Sequence, residues 1–532
     1  MTPQQILSSR TEADRLYRIE AFAEAATIYR KLIDSNPDDS DLRLRLANCC
    51  TRLGQTEQAI VLAQEALQLG CKFPAFVCYE VAKSYAKLDN KEACFDWLEK
   101  SLEARWENRP GLIEEELFQP YRNDQRFIKL AGLLPDGVER NRGWQLDLKY
   151  LVEEAQRLHV GFERQAFSDS FLAMAADLDR RIPTLQAELI VVEFQRLLAQ
   201  LGDGHSFVEP AATERVSFST LPIDCYWFSD GLFIIDGPED CADWIGGRML
   251  KVGTKAVEEV LQAMAAYIPA DNPMAYKRNG PSYLKIPAFL YAVGATDNFH
   301  VVRLTIQTRN GTVQEVTLTA GSFPFSPTLR PSRLSDAPVP LYLQYTGRNF
   351  WFRNLDRMDA LYIQYNQVRD MAEETIEVFA ARLRDTIRTT QTRNLIVDVR
   401  HNSGGNNFLN WPLLRSLVHF ETDAADNRLF VLTGRRTFSA CQNFINWLER
   451  MTQAIFVGEP SSSRPNFIGE TTNVMLPYSG VQASISSRVH FDSFWGDERQ
   501  WIAPHIPIAL SSDAYFANQD PVLEAVLSLI GT

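Results

Sequence analysis

Residues 394–407, NLIVDVRHNSGGNN, and residues 431–444, VLTGRRTFSACQNF, are the stretches on which the reading of this chain turns. The run Leu395-Ile396-Val397 is apolar without alternation, the pattern of a strand covered on both faces of a parallel sheet. It leads into Gly404-Gly405, and two glycines after a buried strand let the backbone turn with its N–H groups outward, as an anion or oxyanion site requires. LFVLTG (429–434) predicts the next strand and CQNFINWLERM (441–451) a helix. Ser439 therefore falls at a helix N-terminus, where backbone N–H groups are free; a serine there reads equally well as an N-cap. Upstream, MDALYIQYNQV (358–368) and ETIEVFAARLRDTIRTT (374–390) give the strand and helix that precede the buried strand.

Moving toward the N-terminus, LFII (232–235) follows the Asp230-Gly231 turn as a strand, and residues 245–264, IGGRMLKVGTKAVEEVLQAM, read as turn, strand, turn and helix. HVVRLTIQTRNGTVQEVTLT (300–319) is a hairpin with Asn310-Gly311 at its tip. This order resembles a PDZ-type module with an insertion at about 262–298, and the resemblance implies binding of an extended chain as an added strand. Residues 144–202 carry helical apolar spacing, interrupted at Pro183, and stop at Gly202-Asp203-Gly204-His205-Ser206. The flanking glycines predict a tight turn that presents His205 on a loop.

Residues 10–105 repeat. Ala25, Ala59 and Ala93 recur at a constant spacing of 34 residues within matching helical stretches, and a small residue there lets the two helices of a hairpin approach closely. The period resembles tetratricopeptide repeats, which implies either a concave groove for a protein partner or a helical cap on the rest of the chain.

Composition bounds the remaining possibilities. The 532 residues are 45% hydrophobic and 23% charged with a net charge of −13, the balance of an ordinary globular protein. The negative charge argues against nucleic acid and anionic membrane as partners. No apolar run reaches the length of a membrane span, and the opening MTPQQILSSRTEADRLYR lacks the apolar core of a secretory signal. Eight irregularly spaced cysteines, with no CxxC, read as reduced thiols of a cytoplasmic protein and not as disulfides or a zinc site. No metal-ligand spacing and no phosphate-binding loop occurs, so no cofactor is expected.

The ordered segments LIVDVRHNSGGN, VLTGRRTFSACQNF, IFVGEP and WIAPHIPIALSSDAYFANQDPVLEAVL resemble the tail-specific or C-terminal-processing serine peptidases, over about residues 144–529. The resemblance implies Ser439 as nucleophile, with the N–H of Ala440 and one from Gly404-Gly405 as the oxyanion hole. The processing-protease branch uses a lysine base 25 residues after the serine. This chain has Arg464 there, which stays protonated and cannot act as a base, and no lysine follows Lys285. The tricorn-like branch uses histidine, and His205 matches its place; an imidazole suits the task near neutrality. That branch implies orienting groups as well: Ser206, which adjoins the histidine, and a carboxylate, with Asp497 preferred over Glu498 and Glu470. Any of these acids reads equally as a surface partner of Arg499 or Arg464. His401 adjoins the glycine turn, and His505 replaces a family aspartate and reads as structural.

The expected architecture is a multidomain α+β chain. Its parts are tetratricopeptide-like repeats at 1–135, a helical bundle ending in DGHS at 136–212, a PDZ-like domain at 213–325 and an α/β serine-peptidase core at 326–532. The expected function is a serine peptidase acting on extended or unstructured protein through an acyl-enzyme. The competing expectation is an inactive peptidase-like scaffold that binds protein partners through the repeats and the PDZ-like module.

Overall fold

The computed structural model describes residues 1–134, 137–164, 168–323, 329–355 and 358–531. The expected boundaries at 135/136 and 325/326 fall at segments outside these residues. The chain divides into two compact units, Met1–Leu158 and His159–Thr532.

The first unit is helical. Helices Pro3–Arg18, Phe22–Ser35, Ser40–Arg52, Thr56–Gln68, Pro74–Lys87 and Lys91–Glu103 form three successive hairpins. Ala25 and Ala59 are buried where the helices meet, whereas Ala93 of the third hairpin is only partly covered. Helix Arg140–Leu158 closes the unit, tied by Arg109, which donates to Glu154 at 2.5 Å and to the Leu130 carbonyl at 2.6 Å.

Among the described residues the second unit holds three sheets. The strands are β1 (Phe207–Val208), β2 (Asp224–Phe228), β3 (Gly231–Asp236), β4 (Arg248–Val252), β5 (Lys255–Ala256), β6 (Val301–Gln307), β7 (Val313–Thr319), β8 (Phe350–Leu355), β9 (Ala360–Tyr365), β10 (Asn394–Asp398), β11 (Arg428–Thr433), β12 (Ile455–Gly458), β13 (Phe467–Met475), β14 (Gln482–His490) and β15 (Ile506–Pro507). The central sheet runs β15-β12-β11-β10-β9-β8, parallel except where β8 meets β9. Alternation along its strands feeds two cores. Leu395, Val397, Leu429 and Val431 face Phe379, Leu417 and Phe444 on one side; Ile396, Phe430 and Leu432 face Val522 and Val526 on the other. Coverage of both faces explains the unbroken apolar run of β10.

The antiparallel sheet β2-β3-β4-β6-β7, with β5 beside β4, closes around Met249, Leu304 and Leu318, and helix Val257–Met264 packs on it. The stretch marked as an insertion contributes helices Met274–Leu284 and Pro287–Ala292. The third sheet is the long hairpin β13–β14 with β1 added at its edge, Phe207 opposite Ser484. Among the described residues no helix is long and apolar enough to cross a membrane.

Candidate active site

The site lies at the carboxyl ends of β10 and β11, where an open α/β sheet leaves a crevice. After β11 the chain is pinned turn by turn. The Thr437 hydroxyl donates to the Val399 carbonyl at 3.0 Å, and the Phe438 N–H donates to the Asn402 carbonyl at 3.1 Å. Ser439 then adopts φ 57°, ψ −127° before helix Ala440–Met451 begins. A left-handed φ in a non-glycine residue is strain that the surroundings must over-determine, and it tends to mark functional sites. The alternative left open by the sequence is resolved locally: the Ser439 side chain makes no capping hydrogen bond, although it occupies the cap position. Its N–H donates to Ser463 Oγ at 3.2 Å.

Gly404 packs directly on this turn. A Cβ at Gly404 (φ +104°) would lie 2.8 Å from Ser439 Cβ and 2.9 Å from the Ala440 nitrogen, and one at Gly405 (φ +139°) would lie 2.2 Å from the Val368 carbonyl oxygen. Close backbone approach therefore demands glycine at both positions. The two glycines differ in what they offer. The Gly404 N–H is spent on Asn402 Oδ1 at 2.9 Å. Among the described residues the N–H groups of Gly405 and Ala440 have no partner.

His205 arrives from the other end of the unit, on the loop after helix Ala187–Ala199. Asp203 builds that loop: its buried carboxylate accepts the N–H groups of His205 and Ser206, both at 2.7 Å, and the Ser486 hydroxyl at 2.9 Å. The other oxygen of Asp203 pairs with His159 Nε2 at 3.0 Å. The Gly161 N–H donates to His159 Nδ1, so a neutral His159 carries its proton on Nε2 and gives it to Asp203. These donors, with His159 foremost, hold the Asp203 carboxyl below its ordinary range although burial opposes them.

The His205 imidazole is sandwiched between two phenyl rings, Phe438 at 4.3 Å and Phe467 at 5.4 Å, inclined by 23° and 9°. Phe438 immediately precedes Ser439, so the clamp brings the imidazole beside the Ser439 turn. Among the described residues neither buried ring nitrogen makes a well-formed hydrogen bond, to Ser439 or elsewhere, although the Ile468 backbone interacts with the ring and favours its charged form. Burial pushes the imidazole down to about 4 despite the nearby Asp203 charge, so the ring is neutral at physiological pH.

The orienting groups expected for His205 are not on it. The Ser206 hydroxyl accepts the Ser486 N–H at 3.0 Å, because the loop turns it toward β14. Asp497 is engaged by Arg499 at 2.7 Å and by the Ser493 hydroxyl at 2.6 Å, and those contacts, Arg499 first, lower its carboxyl to about 2. Glu498 is exposed, and Glu470 lies 3.9 Å from His490. Arg464 directs its Nε–H to the Asp271 carbonyl at 2.7 Å. His401 is buried and gives Nε2 to the Tyr342 carbonyl at 2.9 Å, and His505 accepts the Phe456 N–H at 3.0 Å.

Other members of the site escaped the sequence reading. Asp203 was legible only as a turn former, and Phe438 and Phe467 only as apolar residues. Asp271 accepts the Gly204 N–H at 2.8 Å; burial and the Asp203 charge push its carboxyl up to about 7. Arg278 lies over the Phe438 ring at 4.4 Å. Both come from the stretch read as an insertion.

Comparison with known proteins places the fold. Residues 20–69 match the tetratricopeptide repeat family model. No curated protein matches the chain in sequence. Among solved structures, mature CPAF complexed with lactacystin is similar at a TM-score of 0.55 and 15% identity, over 74% of this chain and 98% of that one. Mature CPAF in a separate structure gives 0.51 at 14% identity, over 73% and 96%. The likeness is one of fold.

Proposed function

We propose that this chain is a serine hydrolase of the tail-specific peptidase family, in its histidine-using tricorn-like branch, and that it cleaves peptide bonds of extended or unstructured protein. The observation that carries the reading is the strained Ser439 turn: an uncapped hydroxyl beside two unpartnered backbone N–H groups. The CPAF-like fold over most of the chain supports it.

In this reading Ser439 Oγ attacks the scissile carbonyl while a ring nitrogen of neutral His205 takes the hydroxyl proton. The carbonyl oxygen, now an oxyanion, is met by the N–H groups of Gly405 and Ala440. The imidazolium returns its proton to the leaving amine, and a water repeats the sequence on the acyl-enzyme. In the unliganded state His205 is not yet hydrogen-bonded to Ser439, a contact that substrate binding tightens in such sites. The β2–β7 sheet is assigned as the PDZ-like module of the four-part organisation, and the repeats as the seat of a protein partner. The eight free thiols support a cytoplasmic setting.

A fluorophosphonate probe tests the nucleophile. It is expected to label wild type and not Ser439→Ala, and hydrolysis of casein is expected to fall by about a thousandfold or more in His205→Ala, since nucleophile and base act as a unit. Equal labelling of Ser439→Ala rejects the assignment. Equal inertness of wild type and His205→Ala favours the scaffold.

A further inference from the structure

Arg278, on helix Met274–Leu284, is a guanidinium without a carboxylate. It lies over Phe438 and donates to Ser462 Oγ at 3.2 Å; among the described residues it forms no ion pair, and its remaining N–H donors have no partner. Arg464, on the same Ser461–Arg464 turn that Arg278 touches, likewise forms no ion pair among the described residues and spends its Nε–H on a backbone carbonyl. Asp271 is the acid whose field reaches both, and with its carboxyl at about 7 it is only partly ionised near neutrality. A chain of net charge −13 thus concentrates unmatched positive charge beside its candidate nucleophile. Both arginines are only partly buried, so their open donors remain reachable from solvent and available to an incoming anion.

We propose that Arg278 is a specificity-determining residue that receives a substrate carboxylate, either an acidic side chain or a free chain end, within a residue or two of the scissile bond. The inference rests on the peptidase reading for the words substrate and scissile. Its geometry is local: the guanidinium lies over the ring of Phe438, the residue that precedes Ser439, and bonds to the turn whose Ser463 hydroxyl accepts the Ser439 N–H. The planar fork offers paired donors that match a carboxylate, and Ser462 occupies only one of them. Ser462 Oγ also steadies the group when no substrate is bound. The carboxylate replaces the missing counter-charge, so binding energy and neutralisation come from the same contact.

Binding and cleavage are read separately to test this. Decapeptides of one unstructured sequence, labelled at the N-terminus with a common fluorophore, carry Glu or Gln at each position in turn, with the chain end as carboxylate or amide. Anisotropy titrations use the full-length Ser439→Ala protein, which cannot turn them over. At one Glu position, or at the free carboxylate end, affinity is expected to exceed that of the neutral match by about tenfold or more, the usual range for a charge-assisted pair. The two arms distinguish side chain from chain end. Adding Arg278→Gln is expected to erase the preference, Arg278→Lys to keep part of it, and Arg278→Glu to transfer it to Lys-bearing peptides. No preference for any acidic peptide, or a preference that survives Arg278→Gln, overturns the proposal. Circular dichroism and thermal denaturation of Arg278→Lys establish that the fold persists. A wild type that cleaves none of the peptides while the charge preference holds would remove the peptidase reading and leave the carboxylate site.

Discussion

His205 sits between two phenyl rings, and that setting decides which protonation state it holds. Burial lowers its pKa to about 4, so the neutral form persists through the mildly acidic range. Catalysis that needs the free imidazole is therefore expected to hold kcat/KM level from neutrality down to about pH 5, where an ordinary histidine of pKa about 6.5 would have lost most of it. Initial rates at low substrate between pH 4 and 8 check this; an acid limb centred between 6 and 7 contradicts it. Gly404 gives a second expectation. A methyl group there meets Ser439 Cβ and the Ala440 nitrogen at contacts no side chain adopts, at a φ that L-residues avoid. Gly404→Ala is expected to lower kcat by about a hundredfold or more by displacing the oxyanion donors, and to cost about 1–3 kcal/mol of stability from backbone strain. Steady-state kinetics together with urea denaturation separate the two effects.

At the scale of elements, strand and turn chemistry carried most of the sequence reading. The β10 and β11 strands, the helix after Ser439 and the Asn310-Gly311 hairpin between β6 and β7 all formed where periodicity and turn residues put them. Ser439, the glycine pair and the DGHS loop were legible because backbone demands, a tight turn or a close approach, leave a local signature. The orienting groups were not legible, because they depend on which distant side chains meet. Nothing near Ser206 or Asp497 in the sequence announces that one bonds to β14 and the other to Arg499. The β13–β14 hairpin, which supplies Phe467 and Ser486, was likewise unread; its strands are rich in Ser, Thr and Gly and offer no strong apolar alternation. Its junction with the DGHS loop runs through Asp203, a buried carboxylate with four donors. Asp203→Ala leaves those donors unsatisfied and is expected to destabilise the second unit by about 3–5 kcal/mol, as removal of one partner from a buried charged network does. Urea denaturation followed by tryptophan fluorescence measures it, and a cost below about 1 kcal/mol would contradict the hub role.

For the whole molecule, buried titratable groups set how stability follows pH. Burial lowers His205 and His401 each to about 4, and below about 6.5 the unfolded chain binds protons that the native histidines refuse. Their contribution is full above pH 6.5 and is lost as pH falls toward 4. Asp271, raised to about 7, works in the opposite sense: the native carboxyl keeps its proton between about 4 and 7, and that contribution fades as pH rises. Burial lowers His490 in the same direction, so the histidines outweigh the one aspartic acid, and stability is expected to rise from pH 4 to 6.5 with a slope of at least about one proton, roughly 1.4 kcal/mol per pH unit. Asp271→Asn is expected to steepen that rise and to flatten the profile near pH 7; urea midpoints at pH 5, 6, 7 and 8 that coincide with wild type contradict it. One earlier detail reaches across the molecule. Phe438 is bonded to Ser439 and stacked on His205, although those two residues come from segments more than two hundred residues apart. Its benzyl group is a yoke: a shift of one partner is handed mechanically to the other, so the pair tolerates drift of the surrounding framework far better than a drift between its own two members.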